Sequence, residues 1–187
     1  NSQLLRSLWN LQVVTTDECK NSWGNDSWVP ELNNNTWSTI KNESIDGVYY
    51  RTMFLVALVN EYLKQTTDDK ISSRGHNSIQ NDIKLYREEA RFMRAMAYSI
   101  LMDLYGNPPF ITENDPIGGY MPSQIGRDGI FKYIEEELLD IETKLKDPKT
   151  NEYGRADKAA VWMLLARNYL NAEVYTGEKK YTEAIKY

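Results

Sequence analysis

The segment that most constrains the fold of this 187-residue chain is the apolar run from Ala159 to Leu170. Only Arg167 and Asn168 interrupt the run, and small alanines alternate in it with large side chains such as Trp162. This pattern is typical of a helix buried on more than one side, because small residues let a neighbouring helix approach closely. The run therefore predicts a chain built from packed helices.

Four positions in this run fit the first helix of a tetratricopeptide unit, namely Trp162, Leu165, Ala166 and Tyr169. A second helix is then expected to begin near Tyr181, after a connection over residues 171–180 that is long for such a repeat. The tetrapeptide 95–98 repeats part of the same pattern and indicates stacked helical pairs. A merely buried amphipathic helix is the alternative that the pattern leaves open.

Apolar periodicity elsewhere predicts further helices, which are expected over residues 2–14, 45–65 and 80–105, and from a first turn that contains Asp128 to residue 145. Polar or glycine- and proline-rich stretches predict irregular connections over residues 15–37, 66–78 and 110–126. The acidic side chains between residues 135 and 142 are interpreted as a solvated face. The predicted fold class is all-α, with tetratricopeptide-like helical repeats and long irregular loops.

The charge balance argues against nucleic-acid binding. The chain has 22 basic and 27 acidic residues, a net charge of -5, whereas phosphate binding needs a basic surface. A single cysteine, Cys19, excludes an intramolecular disulfide, and the single histidine, His76, lies in a polar connection. The sequence has no dinucleotide fingerprint, Walker loop or paired-cysteine site, so we predict no catalytic residue, no metal and no cofactor.

The connection over residues 15–37 carries the strongest sign of a binding function. It contains Trp23, Trp28 and Trp37 among asparagine, aspartate, serine and glycine residues. An indole face can stack on the apolar face of a sugar ring while amides and carboxylates bind the hydroxyl groups. Alternatively, any one of these tryptophans folds back to fill the core beneath the loop.

Two other functions stay open at this point. A pair of carboxylates from Asp17, Glu18 and Asp26 beside Trp23 would supply the residue types of an all-helical glycoside hydrolase. Stacked helix pairs also serve as adaptors that bind peptides or partner proteins.

Several motifs, in this order along the chain, resemble the SusD/RagB family. They are Glu89–Tyr98, Leu104–Phe110, Phe131–Leu138, Tyr153–Ala160 and Leu164–Leu170. The starch-binding branch of the family is resembled in particular by Asn171–Gly177, by Thr16–Glu18 with Trp23, and by Pro30–Leu32. Residues 1–187 would then be the N-terminal, tetratricopeptide-like helical part of a SusD-like protein, truncated at its C-terminal end.

This resemblance implies a non-enzymatic protein that binds starch or a similar oligosaccharide, with no cofactor. The protein would be lipid-anchored on the outward face of the outer membrane and would work with a SusC-like TonB-dependent transporter in nutrient uptake. The family's lipidated cysteine has no match here, because Cys19 lies in the wrong context, so the anchor would lie outside this chain.

The resemblance also implies particular site residues. Trp23 matches the family's stacking tryptophan and Arg6 its hydroxyl-binding arginine, while Asn25 or Asp26 stands near the polar partner. Trp28, in the same loop, completes the predicted ligand-binding set.

Overall fold

A computed structural model describes residues 3–23, 26–37, 42–116 and 118–187 of the chain. It divides into two compact units, Asn1–Phe54 and Leu55–Tyr187. Across the described residues, the regular structure is helical apart from one isolated bridge between Pro109 and Gln124. The all-α prediction is confirmed.

The first unit is built from short helices around a small apolar core. These are α1 (Gln3–Trp9), a π-helical segment (Asn10–Val14) that continues it, α2 (Trp28–Asn33) and the first part of α3 (Glu43–Gln65). The buried core residues are Val14, Trp28, Val29 and Leu32, with Leu11 and Cys19 packed against them.

Helix α2 corrects the expectation that residues 15–37 are irregular throughout. It buries Trp28, Val29 and Leu32 against the core, and this burial provides its main stabilisation. Pro30 is its third residue, where a backbone N–H would have no partner within the helix, so a proline is tolerated there. Six residues are too few for apolar periodicity to reveal a helix.

Helix α3 begins two residues before the predicted start because Asn42 caps it. The Asn42 Oδ1 atom accepts from the backbone N–H groups of Ser44 and Ile45 at 3.1 and 3.3 Å. The Asn42 Nδ2 atom donates to Oε2 of Glu31 at 2.8 Å, which ties the start of α3 to α2.

The second unit contains the longer helices. After the C-terminal part of α3 come α4 (Asp68–Ser73), a 3₁₀ turn (Asn77–Ile79), α5 (Gln80–Tyr105), α6 (Arg127–Glu142), α7 (Lys158–Leu170), α8 (Ala172–Thr176) and α9 (Tyr181–Lys186). Helix α5 packs on α6, α6 packs on α7 and α8, and α7 packs on α9, as expected of helical repeats. The start of α9 at Tyr181 is confirmed, whereas α4 and α8 occupy segments predicted to be connections.

The prediction of a fully solvated acidic face on α6 is wrong for three of its residues. Glu137 binds Arg91 at 2.7 Å, Glu135 binds Lys180 at 3.1 Å, and Glu142 accepts from Trp162 Nε1 at 2.8 Å. These carboxylates hold α6 to neighbouring elements, because α6 is flanked by helices that carry basic or donor groups. Glu136 does remain exposed.

Two of the motifs that resemble the SusD/RagB family meet in the second unit. Glu89 of α5 binds Arg155 at 2.7 Å and accepts from Asn151 Nδ2 at 2.9 Å. The Arg155 guanidinium carbon lies 4.3 Å from the centroid of the Tyr86 ring. Two residues later, the side chain of Asp157 caps α7 by accepting from the N–H of Ala160. The ion pair between Glu89 of one motif and Arg155 of the other therefore holds the segment before α7 against α5.

No helix in the described ranges is both long and apolar enough to cross a bilayer.

Candidate functional site

A network of asparagines in the first unit holds the loop that precedes α2. The Nδ2 atom of Asn21 donates to Oδ1 of the buried Asn10 at 2.9 Å. Asn21 and Asn33 exchange two further bonds: the Asn21 backbone N–H donates to Asn33 Oδ1 at 3.0 Å, and Asn33 Nδ2 donates to the Asn21 carbonyl at 2.8 Å. Asn10 also donates to the Arg6 carbonyl at 2.7 Å. Asn21 therefore ties the loop both to the π-helical segment and to α2.

Trp23 lies two residues beyond this anchor. Its backbone N–H donates to Asn21 Oδ1 at 2.9 Å, an Asx turn that fixes where the chain leaves the anchor. The Trp23 side chain is 61% exposed, and the guanidinium carbon of Arg6 lies 5.5 Å from its ring centroid. Within this distance a guanidinium is attracted to the indole. The result is an open aromatic face next to a cation.

Arg6 also binds Asp26, with 2.6 Å between Nη2 and Oδ2. The two side chains are 46% and 33% exposed, so the pair contributes at most about 1 kcal/mol to stability. The Arg6–Asp26 pair also presents hydrogen-bonding groups to solvent. A guanidinium has five N–H donors and a carboxylate is an acceptor, and both stand here beside an apolar indole. This combination fits a ring that carries hydroxyl groups.

Trp28, also predicted to bind ligand, belongs to the core. It is 7% exposed and packs with Val14, Val29 and Leu32. The structure corrects the prediction that Trp28 is an open stacking surface, because the residue is largely buried, with the Arg6 guanidinium carbon 5.3 Å from its ring centroid, and only a small part of it lines a depression next to Arg6. Trp28 therefore folds back to fill the core beneath the loop, which was the alternative to a ligand-binding role.

Among the other predicted residues, Asn25 lies outside the described part of the chain. Asp17 and Glu18 are exposed on the loop, and Asp26 is bound to Arg6. A glycosidase uses two carboxylates on either side of the scissile bond, whereas Asp26 is engaged in the ion pair with Arg6. In the parts of the chain that the structure describes, no group of three or more acidic, histidine or cysteine side chains could hold a metal ion.

A depression of about 470 Å³ adjoins the Arg6–Asp26 pair. It is lined by Arg6, Ser7, Asp26, Trp28, Glu43, Ser44, Asp46, Gly47 and Tyr50. Because Arg6 both lines the depression and contacts Trp23, it connects the two. The residues of α3 in this lining were not predicted from the sequence. Tyr50 was the available signal, since it lies outside the apolar stripe of α3 and is 69% exposed.

A second cavity, of about 370 Å³, lies in the second unit between α3 and the segment over residues 111–122. Its loop wall is held by Arg94, which is buried and binds Glu113 and also Asn60 Oδ1, the latter at 2.7 Å. The hydroxyl of Tyr98 donates to the Ile111 carbonyl at 2.8 Å. Arg94, a basic residue among the apolar positions of α5, was not predicted from the sequence to have this role.

Burial and charge shift the pKa values of groups around this cavity. Burial acts to raise the pKa of Glu113, but the hydrogen bond from Arg94 and its positive charge outweigh burial and hold that pKa below its usual value. For Tyr98, burial dominates and raises the pKa to about 12, although its bond to Ile111 and the charge of Arg94 act in the opposite direction. Glu113 is therefore held as an anion and Tyr98 as a neutral donor.

The fold is shared with known structures. A SusD-like protein from Bacteroides fragilis superposes over 100% of this chain and 33% of its own, with a TM-score of 0.69 and 17% sequence identity. Surface glycan-binding protein A from Bacteroides uniformis superposes over 70% of this chain and 28% of its own, with a TM-score of 0.53 and 27% identity.

Fold and site together define an all-α protein of packed helical pairs that presents an exposed tryptophan and an arginine–aspartate pair. No protein-family model matches the chain. Starch-binding protein SusD from Bacteroides thetaiotaomicron is 33% identical over 186 residues, a match that covers 100% of this chain. The chain belongs to the SusD/RagB family. It spans 31% of the length of that relative.

Proposed function

We propose that the protein carrying this chain is a surface glycan-binding protein that binds starch or a similar oligosaccharide without cleaving it. The name of the Bacteroides thetaiotaomicron relative supports starch, and that of the Bacteroides uniformis protein supports a glycan bound at the surface. The observation that carries the proposal is the 61% exposed indole of Trp23 beside the Arg6–Asp26 pair.

In this proposal, the indole of Trp23 stacks on the apolar C–H face of a glucose ring. Arg6 donates N–H groups to ring hydroxyls, and Asp26 accepts from them. By analogy with aromatic pairs, one stacked ring contributes about 0.5–1.5 kcal/mol. Such a site is weak alone, so retention on a polymer would depend on several contacts made at once.

Affinity electrophoresis in gels that contain soluble starch tests the proposal. Wild-type protein is expected to be retarded, and Trp23→Ala is expected to migrate as in a gel without polysaccharide. Trp9→Ala is the matched control, because Trp9 is also an exposed tryptophan of the first unit, at 51%, and does not line the depression. Equal retardation of wild type and Trp23→Ala would refute the assignment of Trp23, and no retardation of wild type would refute starch.

The non-enzymatic part of the proposal has its own test. Purified protein incubated with starch is expected to release no reducing sugar. The ion pair that engages Asp26 with Arg6 supports this expectation. Release of reducing sugar that Asp26→Asn abolishes would favour the glycoside hydrolase instead.

We also propose a SusC-like TonB-dependent transporter as partner and a lipid-anchored position on the outward face of the outer membrane. Both are suggested by membership of the family. Affinity purification from detergent-solubilised outer membranes is expected to recover the transporter, and protease added to intact cells is expected to digest the protein. Recovery of a soluble peptide or protein ligand, with no glycan bound, would favour the adaptor.

A further inference from the structure

We infer that the first two turns of α3 form a second sugar subsite, which takes an uncharged ring against Tyr50 and disfavours anionic sugars. This inference rests on the proposed function and extends the site from Trp23 into the adjoining depression. The depression holds about 470 Å³, within the range of about 300–1,000 Å³ that is usual for small-molecule sites.

Tyr50 supplies the aromatic surface. It is 69% exposed although it lines the depression, so part of its ring faces the space where a ligand would lie. The neighbouring Tyr49 meets it edge to face, with ring centroids 5.6 Å apart and an interplanar angle of 78°, a geometry that restricts the Tyr50 ring. A held but open aromatic ring is suited to stacking.

Gly47, one turn before Tyr50, keeps the floor of the depression open. Apart from its chain neighbours and the backbone of its own helix, a Cβ atom built at Gly47 would meet nothing within 4 Å in the described structure. Glycine destabilises a helix by about 1 kcal/mol relative to alanine, and nothing in the backbone of α3 requires it at this position. The open space is therefore a feature that a ligand can use.

Polar groups at the same end of α3 complete the subsite. The hydroxyl of Ser44 is buried and has no hydrogen-bond partner in the described structure, although Ser44 lines the depression. Glu43 and Asp46 add carboxylates that can accept from sugar hydroxyls. These groups are the acceptors that a neutral, hydroxyl-rich ring would use.

The charge of the lining gives the subsite its preference. Among the described lining residues there are three carboxylates, those of Asp26, Glu43 and Asp46, against the single guanidinium of Arg6. The formal balance is two negative charges. A sugar that carries a carboxylate or sulfate would be repelled, and the repulsion would weaken as salt is added.

The test is calorimetric titration of the protein with maltoheptaose and with a C6-oxidised counterpart that carries glucuronate rings. Wild type is expected to bind the neutral sugar at least about fivefold more tightly. Tyr50→Ala is expected to weaken maltoheptaose binding by about two- to twelvefold. Gly47→Leu should weaken it at least as much, because the side chain occupies the open space while improving helix propensity.

Phe54→Ala is the matched control, since Phe54 is 64% exposed one turn further along α3 and does not line the depression. Its affinity is expected to equal that of wild type. The double variant Glu43→Gln/Asp46→Asn is expected to narrow the gap between the two sugars.

The outcomes separate this inference from the proposed function. If maltoheptaose binds in a Trp23-dependent way but Tyr50→Ala and Gly47→Leu match wild type, the second subsite is overturned and the proposed function stands. Equal affinity of wild type for both sugars would overturn the charge preference. If wild type binds neither sugar, both the proposed function and the second subsite are refuted.

Discussion

Replacing Arg94 by methionine is expected to destabilise the chain more than any change to a surface charge. The Arg94 side chain is 3% exposed. It binds Glu113, Glu137 at 3.2 Å and Asn60 at 2.7 Å, and so joins the loop over residues 111–122 to α3, α5 and α6. Removing one member of a buried ion pair typically costs about 3–5 kcal/mol, because the partner charge is left uncompensated.

The structure places the expected loss near the lower end of that range. Glu137 keeps its 2.7 Å bond to Arg91, and Glu113 is 28% exposed and can be partly hydrated. We therefore expect about 3 kcal/mol, which for a chain of this size lowers the Tm by about 6–12 °C.

Urea unfolding followed by far-ultraviolet circular dichroism measures this loss. The control is Lys132→Met, which removes an exposed ion pair with Glu136 at 3.8 Å and is expected to change stability by at most about 0.5 kcal/mol. The double variant Arg94→Met/Glu113→Gln should lose less than the sum of its single variants. A loss of under about 1 kcal/mol for Arg94→Met alone would refute the role assigned to Arg94.

Two further predictions concern Glu113 and Asn21. The pKa of Glu113 is lower in the folded than in the unfolded state, so the ionised carboxylate stabilises the fold above the unfolded-state pKa. This stabilisation is lost as the pH falls through the folded-state pKa. The difference in unfolding free energy between wild type and Glu113→Gln is therefore expected to disappear below about pH 4.5. A gap that stays constant down to about pH 3 would contradict this prediction. Asn21→Ala should weaken starch binding while retaining helicity, because the loop loses its anchor on Asn10 and the turn at Trp23. Asn34→Ala is the control, because the exposed Asn34 side chain donates to the Pro30 carbonyl within its own helix end. Equal losses in the two variants would argue against the anchor.

Long periodic segments made the main helices predictable. Helices α3, α5, α6 and α7 each repeat apolar side chains over three or more turns, and in α6 the repeated residues Ile130, Ile134, Leu138 and Ile141 are all buried. Helix α2 was not predicted, because six residues are too few to show a helical repeat of apolar side chains and because a proline such as Pro30 usually indicates the end of a helix. The decisive signals for α2 are the burial of Trp28 and the anchor at Asn33, both of which depend on residues distant in sequence.

The site was predictable in its residue types more than in its arrangement. Tryptophan and aspartate in a polar loop indicated sugar chemistry, and the family resemblance added Arg6 from the predicted first helix. The structure brings Arg6, Trp23 and Asp26 together. Which tryptophan is open and which is buried could not be read from the sequence, because Trp23 and Trp28 have similar neighbours along the chain. Tyr50 lies outside the apolar stripe of α3, which indicates exposure, but only folding brings it to a depression that Arg6 also lines.

The winding of the π-helical segment that continues α1 determines the angle between the residues of α1 and the loop that carries Trp23. Each residue of an α-helix turns the chain by about 100°. Deleting one residue between Asn10 and the end of the segment at Val14, with the winding of the remaining residues unchanged, would turn the part that carries Arg6 and Asn10 by about that angle relative to the loop and α2. The asparagine would no longer face its partner on the loop, and the guanidinium would leave the indole. A single extra residue in the winding thus sets the angular register of the whole recognition surface.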